Sequence, residues 1–448
     1  MVQRNAADPD PRMIVHDDRV VIVDDDGNRT KFNEGTQSNA ARDRYQRIHD
    51  TLDDGYLEDL VKQVATTGHE LDVFPDEDVQ QLLDDIVAAI TSERGRGLAG
   101  LAVGQLAIKS ITPEQSIRLH KGSRRSNHFG WEEGISMRTI DSTYIAPTLR
   151  EFDLLRVNKD GVMMTRTLAE NYPYGRFYKA NLRGAQDAWG ELVEELEREG
   201  STVDPAVALR YLILALANRG DEAEARNQAL LDQVSTLRGE GVTVDGVFEI
   251  IQSHLRHSPH SARIFEVALH ALYQVLEDHE MLGEVSPTGG RLKPLTQMRS
   301  ADKKHGNVAD IEVVHPSDEF HIYTAWDAKW GKPYLAEELR ELDDKLESHP
   351  ETERVGFIVN EVPEFDSTVE ERLANLEAAH NVEVVIITFE EFCRTQLEEL
   401  LEAGIDYSEW LIAYAETLTH RRRERAPINE PTREWVDELN EVIEARRE

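Results

Sequence analysis

Val308-Ala-Asp-Ile-Glu-Val-Val314 and His321-Ile-Tyr-Thr-Ala-Trp-Asp-Ala-Lys329, joined by His315-Pro-Ser-Asp-Glu319, form the stretch on which the fold turns. Two strand-like apolar runs flank a segment with Pro and Ser, the pattern of a β-hairpin. Upstream, Ser261–Met281 repeats Ile264, Phe265, Ala268, Leu269, Leu272 and Leu276 at three- and four-residue spacing, which predicts an amphipathic helix. Downstream the pattern predicts a charged helix over Leu335–Leu346, a strand over Val355–Val359 and a helix over 367–379. A strand over Val382–Phe389 and a helix over Glu390–Ala403 follow. A hairpin followed by helical crossovers requires a mixed sheet with helices on both faces, at about residues 258–405. The expected fold class is mixed α/β (α+β).

Outside that core the chain reads as mainly helical. Residues 1–42, rich in Asp, Asn, Arg and Gly, are expected to be a disordered or loosely ordered acidic tail. Residues 43–257 form the helical N-terminal region. Asp204-Pro205 is an N-cap followed by proline at the first helical position, opening a helix through Ala217, with further helices at 221–237 and 245–256. Residues 406–448 are read as C-terminal helices. The length of 448 residues suits two or three domains.

The chain carries 86 Asp+Glu against 50 Lys+Arg, a formal charge of −36. So strong an acidity ordinarily opposes a polyanionic partner. The bases are also skewed, 12 Lys against 38 Arg. Acid-rich, lysine-poor composition is expected of a halophilic protein, in which a carboxylate surface stays solvated and molar salt screens it within a few ångströms. Two windows escape the acidity: 111–190 is net +3 and 285–335 net +1, the latter with Lys293, Lys303, Lys304, Lys329 and Lys332. A polyanion site would be drawn from these windows. The single cysteine, Cys393, excludes an intramolecular disulfide and multi-cysteine metal sites. With no apolar signal core at the N-terminus and no long apolar run, a cytoplasmic protein with no membrane segment is expected.

The hairpin also concentrates chemistry. Side chains alternate along a strand, so Asp327 and Lys329 point the same way, and a turn centred near residue 317 sets Asp310 opposite residues 325–327. Two carboxylates and one ammonium converge. Mg²⁺ takes one or two carboxylates, keeps several waters and accepts a substrate phosphate. The lysine would lower the pKa of an attacking water or offset charge on a phosphorane-like transition state, which phosphodiester hydrolysis needs.

Asp310 followed by Asp327-x-Lys329 on a hairpin after a helix resembles the PD-(D/E)xK nuclease superfamily. Ala309 stands where that motif usually has proline. The superfamily often adds a helical carboxylate upstream, and Glu266 in Arg263-Ile-Phe-Glu266 occupies the matching place. Met164 to Gly175, Arg183-Gly-Ala185, Trp189, the Arg263–Glu266 helix and the loop Lys293–Asn307 are similar to SacI-type restriction endonucleases over about 140–405. The resemblance implies a restriction-endonuclease-like core and sequence-specific, Mg²⁺-dependent cleavage of double-stranded DNA by a homodimer at a palindrome, with a 5′-phosphate product. It also implies a cognate DNA methyltransferase encoded nearby. Asp310 and Asp327 would hold the metal, with Glu266 assisting, and Lys329 would position or activate water. Segment 111–190 would carry much of the base reading, with Arg166, Tyr172, Tyr174 and Arg176 as candidates, and Arg299, Lys303, Lys304 and His305 suit phosphate contact.

Plainer readings stand beside these. Asp310 and Asp327 could be solvated edge charges, Glu266 an ion-paired helix residue, and Tyr172, Tyr174 and Arg176 part of a packed turn. A structure-specific repair or recombination nuclease, or a catalytically silent DNA-binding defence subunit, would use the same fold. Gly95-Arg-Gly97-Leu-Ala-Gly100 follows a predicted helix, against a dinucleotide site. His254, His257 and His260 are interrupted by Pro259, against a zinc site. Arg421–Arg423 and Arg425 read as a solvated helix end.

Overall fold

The structure, a computed structural model, describes residues 11–67, 73–91, 94–120, 130–170, 173–282, 289–295, 307–331, 335–361, 367–423 and 430–447. It is mixed α+β and divides into two compact units, Met1–Ala223 and Glu224–Glu448.

The first unit opens with an antiparallel sheet of β1 (Arg12–Val15), β2 (Arg19–Val23) and β3 (Arg29–Asn33). Over residues 11–42 this corrects the expectation of a disordered or loosely ordered acidic tail; residues 1–10 lie outside the described residues. Val20, Ile22 and Phe32 are buried with Leu119 and Trp131. The acidic run is the hairpin turn itself. Asp24 accepts the N–H groups of Asp26 and Asn28 at 3.0 and 2.8 Å, and Gly27 takes the left-handed φ of 82° that an Asp-Gly turn needs.

The helices α1 (Asn39–Asp53), α2 (Tyr56–Thr66), α3 (Glu77–Ala88) and α4 (Arg96–Ile111) follow. Every residue of α4 from Leu98 to Lys109 is buried, as expected of a helix that is apolar all round and central to its core. Its two polar members are partnered: Gln105 accepts from the Trp189 indole at 2.8 Å, and Lys109 meets Glu197 at 2.8 Å. Short helices α5 (Met137–Ile140), α6 (Ala146–Glu151) and α7 (Arg166–Glu170) surround one π-helical turn (Asp141–Ile145), and α8 (Gln186–Glu197) completes the packing.

One helix, α9 (Pro205–Gly239), stands where two were expected. The expected gap at residues 218–220 does not occur, because a single helical glycine costs only about 1 kcal/mol. Leu230, Val234 and Leu237 from its later turns join the second core, as does α10 (Val244–His257) through Val247, Phe248, Ile250, Ile251 and Leu255. The second unit therefore begins well before the expected boundary at 257/258. A core is set by which apolar faces meet, and the α10 face meets Tyr414 and Trp435.

The second unit holds α11 (Ser261–Asp278) and a five-stranded sheet. Its strands are β4 (Arg291–Leu292), β5 (Ile311–His315), β6 (Asp318–Lys329), β7 (Thr352–Val359) and β8 (Glu383–Thr388), hydrogen-bonded in that order. β4, β5 and β6 pair antiparallel; β6, β7 and β8 pair parallel, through α12 (Leu335–Ser348) and α13 (Ser367–His380). This is the expected mixed sheet. One face buries Ile311, Val313, Trp326 and Ala328 with α11, α14 (Phe389–Glu402), α15 (Ser408–Leu418) and α16 (Thr432–Arg447). The other buries Val314, Ile322, Ala325, Phe357 and Val359 with α12 and α13.

Candidate active site

Three of the expected residues meet where β5 begins and β6 ends. Ile311 pairs with Trp326, so Asp310, one residue before β5 rather than within it, falls beside Asp327. Its Oδ2 accepts the N–H of Ala328 at 2.9 Å, and its carboxyl is hydrogen-bonded to that of Asp327. Asp327 and Lys329 lie on one side of β6, as alternation requires. Lys329 Nζ stands 3.2 Å from Asp327 Oδ2 and 3.0 Å from Glu338 Oε2 on α12.

The electrostatics divide the two acids. Burial raises the Asp310 carboxyl well above the usual range, and the charges of Asp327 and Glu266 raise it further. Burial also opposes the Asp327 carboxylate. The hydrogen bond from Asp310 and the charges of Lys329 and Lys345 outweigh that and hold it below its ordinary value. Two adjoining carboxyls are thereby driven apart, Asp310 towards its protonated form and Asp327 towards its charged one. Burial works against the Lys329 ammonium, yet Asp327 and Glu338 together hold its pKa above the ordinary lysine value.

Glu266 comes within electrostatic reach of both aspartates, but from α11, on the opposite face of the sheet from α12. Arg263 grips its carboxylate and also meets Glu430 at 2.8 Å, while Arg423 takes the other Glu430 oxygen at 2.8 Å. The ion-paired reading of Glu266 describes what its carboxylate does here.

The donor set fits Mg²⁺. Among the described residues no three His, Cys, Asp or Glu side chains form a metal-holding group. Mg²⁺ does not need one: two carboxylates suffice when water and phosphate oxygens complete the shell. A cation beside Asp310 and Asp327 would also offset the repulsion between their two charges.

The expected DNA contacts fare differently. Arg299, Lys303, Lys304, His305 and Tyr172 lie outside the described residues. Arg166 is the first residue of α7, and its side chain also lies outside them. Tyr174 is a correction: it is fully buried, donates its hydroxyl to Leu168 O at 2.5 Å and packs edge-on against Trp189, so it cannot read a base. Arg176 is half-exposed but bound by both Asp25 oxygens at 3.0 Å. The decoys divide: the reading of a solvated helix end is corrected at Arg423, whose side chain is buried against Glu430, while Arg425 lies outside the described residues. His254 is buried and bonded to the Tyr414 hydroxyl at 2.7 Å, and Arg421 and Arg422 pair with Glu224 and Asp278.

Sequence reading missed three residues, Glu338, Lys293 and Glu312. Glu338 sits in a helix so charged that one acid carries no signal. Glu312 did leave one, an acid between Ile311 and Val313 in an apolar run. No protein-family model matches this chain, and no curated protein matches it. Among the described residues no helix is long and apolar enough to cross a membrane.

Proposed function

We propose that this chain is a Mg²⁺-dependent endonuclease that hydrolyses phosphodiester bonds of double-stranded DNA, a type II restriction enzyme of the SacI kind. The observation that carries the reading is the convergence of Asp310, Asp327 and Lys329 on one end of β6. Asp310 and Asp327 would hold the metal. When bound, Mg²⁺ supplies positive charge to the phosphoryl oxygens and makes water a better nucleophile. Lys329, paired with two carboxylates, brings a second positive charge to the transition state and orients the attacking water. The water oxygen gives up a proton as it bonds to phosphorus, the P–O3′ bond breaks, and the departing 3′ oxygen takes up a proton, leaving 5′-phosphate and 3′-hydroxyl ends. Glu266, tied to Arg263, acts on the pair through its charge.

The fuller proposal is a cytoplasmic homodimer that reads a palindrome in a high-salt cell and is partnered by a cognate DNA methyltransferase. The deciding experiment incubates the purified chain with unmethylated plasmid DNA and Mg²⁺ in high salt and maps the ends. Discrete fragments with one sequence at their ends support a restriction enzyme. Cutting only at branched junctions would replace it with a structure-specific nuclease, and no cleavage with retained DNA binding would replace it with a silent subunit.

A further inference from the structure

We infer that Glu312 is the positioning residue of this site: its carboxylate fixes the turn Val308–Asp310 and thereby delivers Asp310 to Asp327. The inference rests on the reading of those two aspartates as a divalent-cation site. The antiparallel ladder between β5 and β6 stops at Ile311, which leaves the backbone just before it without a strand partner. Glu312 supplies the partner from its own side chain. Oε1 accepts the N–H of Val308 at 2.5 Å and that of Ala309 at 3.1 Å. Asp310 is therefore held from both sides, by these two bonds on its N-terminal flank and by the Ala328 N–H on its own carboxyl.

The carboxylate that does this is itself locked. Its side chain is fully buried, where an unpaired charge is strongly disfavoured. Lys293 answers it with an ammonium 2.5 Å from Oε2, and donates its backbone N–H to the Glu312 carbonyl at 2.9 Å. The Lys293 carbonyl accepts in turn from His270 Nε2 on α11 at 3.0 Å. A chain of contacts thus runs from α11 through Lys293 and Glu312 to the backbone that carries Asp310. Ala309 matters here for what it donates: a proline at that position would have no N–H to give.

The test is Mn²⁺ binding by the full-length chain, followed by electron paramagnetic resonance of the free ion, with no DNA present. Glu312→Met fills the same space but accepts no hydrogen bond, and should weaken binding about 10- to 100-fold, the usual effect of losing a group that orients a metal ligand. Glu312→Gln, made together with Lys293→Met so that no ammonium faces the amide NH2, keeps one oxygen for the two N–H groups and should retain most of the affinity. Lys293→Met, which leaves the acid without its cation, should weaken binding by less than Glu312→Met. It serves as the second variant should Glu312→Met not fold. Parent-like affinity in a folded Glu312→Met or, failing that, in Lys293→Met, overturns the inference. Equal losses in Glu312→Met and in the double variant also overturn it. Asp310→Asn separates the two failures. If the parent binds and Asp310→Asn does not, the cation reading stands whatever Glu312 shows. If the two bind alike, that reading falls and the inference falls with it.

Discussion

A Cβ added to Gly356 would lie 2.2 Å from Cζ3 of Trp326, so the two strands carrying these residues meet with an indole where one of them has no side chain. Gly356 and Trp326 are register partners of β7 and β6, and Trp326 directly precedes Asp327. Gly356→Ala should therefore force the indole aside. The expected cost is about 1–3 kcal/mol of stability, typical of overpacking. The same variant should lower cleavage, because the displaced strand carries an acid of the site. Thermal unfolding and a plasmid assay on one preparation check both; full activity in a destabilised variant would show that Trp326 does not set Asp327.

Asp327→Asn and Lys329→Ala should each reduce Mg²⁺-dependent cleavage by about 10²- to 10³-fold, the scale of removing one preorganised charge from a transition state. DNA binding measured with Ca²⁺ in place of Mg²⁺ should survive. Parent-like cutting in either variant would remove that residue from the mechanism.

Asp141, in the π-helical turn of the first unit, gives a pH signature. Burial pushes its carboxyl up to about 6 from 3.8, against the N–H groups of Met163 and Val162, which pull it down. Because its folded pKa is raised, the folded state keeps a proton that the unfolded chain has already released between those two values. Its stabilising contribution is full below about pH 4 and is lost as pH rises through about 6. Asp141→Asn mimics the protonated form. It should match the parent at pH 4 and exceed it above pH 6, by at most about 3 kcal/mol. Urea midpoints of the two proteins across that range give the difference, and a pH-independent gap would contradict the assignment.

The charge of −36 predicts that salt stabilises the chain. Raising salt from 0.1 to 1 M shortens the screening length from about 10 to about 3 Å and weakens self-repulsion among carboxylates. The thermal midpoint should climb with KCl over that interval. A flat or falling midpoint would separate the composition from any adaptation to brine.

Much of the second unit was legible because its signals are local. The run ending at Lys329 and the period-3.6 run through Leu276 each name an element, and the turn between 315 and 319 names the hairpin. The exact partner of Asp310 is not legible there: the pair His315–Asp318 at the turn would set it opposite Tyr323, and two register irregularities, at Val313/Val314 and Val314/His315, carry it to Asp327. The hairpin at Asp24–Asn28 is hidden because aspartates signal surface charge and turn formation alike, and only the fold separates the two. The tie between Arg263 and Glu266 was legible only as an alternative, since Glu430, which completes it, lies far along the chain. Glu312 illustrates the same limit: a buried acid is visible in sequence, but the backbone N–H groups it holds are not.

The twelve-residue β6 reaches well beyond the site. From Asp327 back to Asp318 the strand extends about 30 Å at the usual rise per residue, and it ends in the exposed tip Pro316-Ser317. The ribbon that carries the acids therefore also offers a handle at its far end. A dye or surface tether attached at Ser317 would report on the unit through a stiff lever while leaving the chemistry untouched.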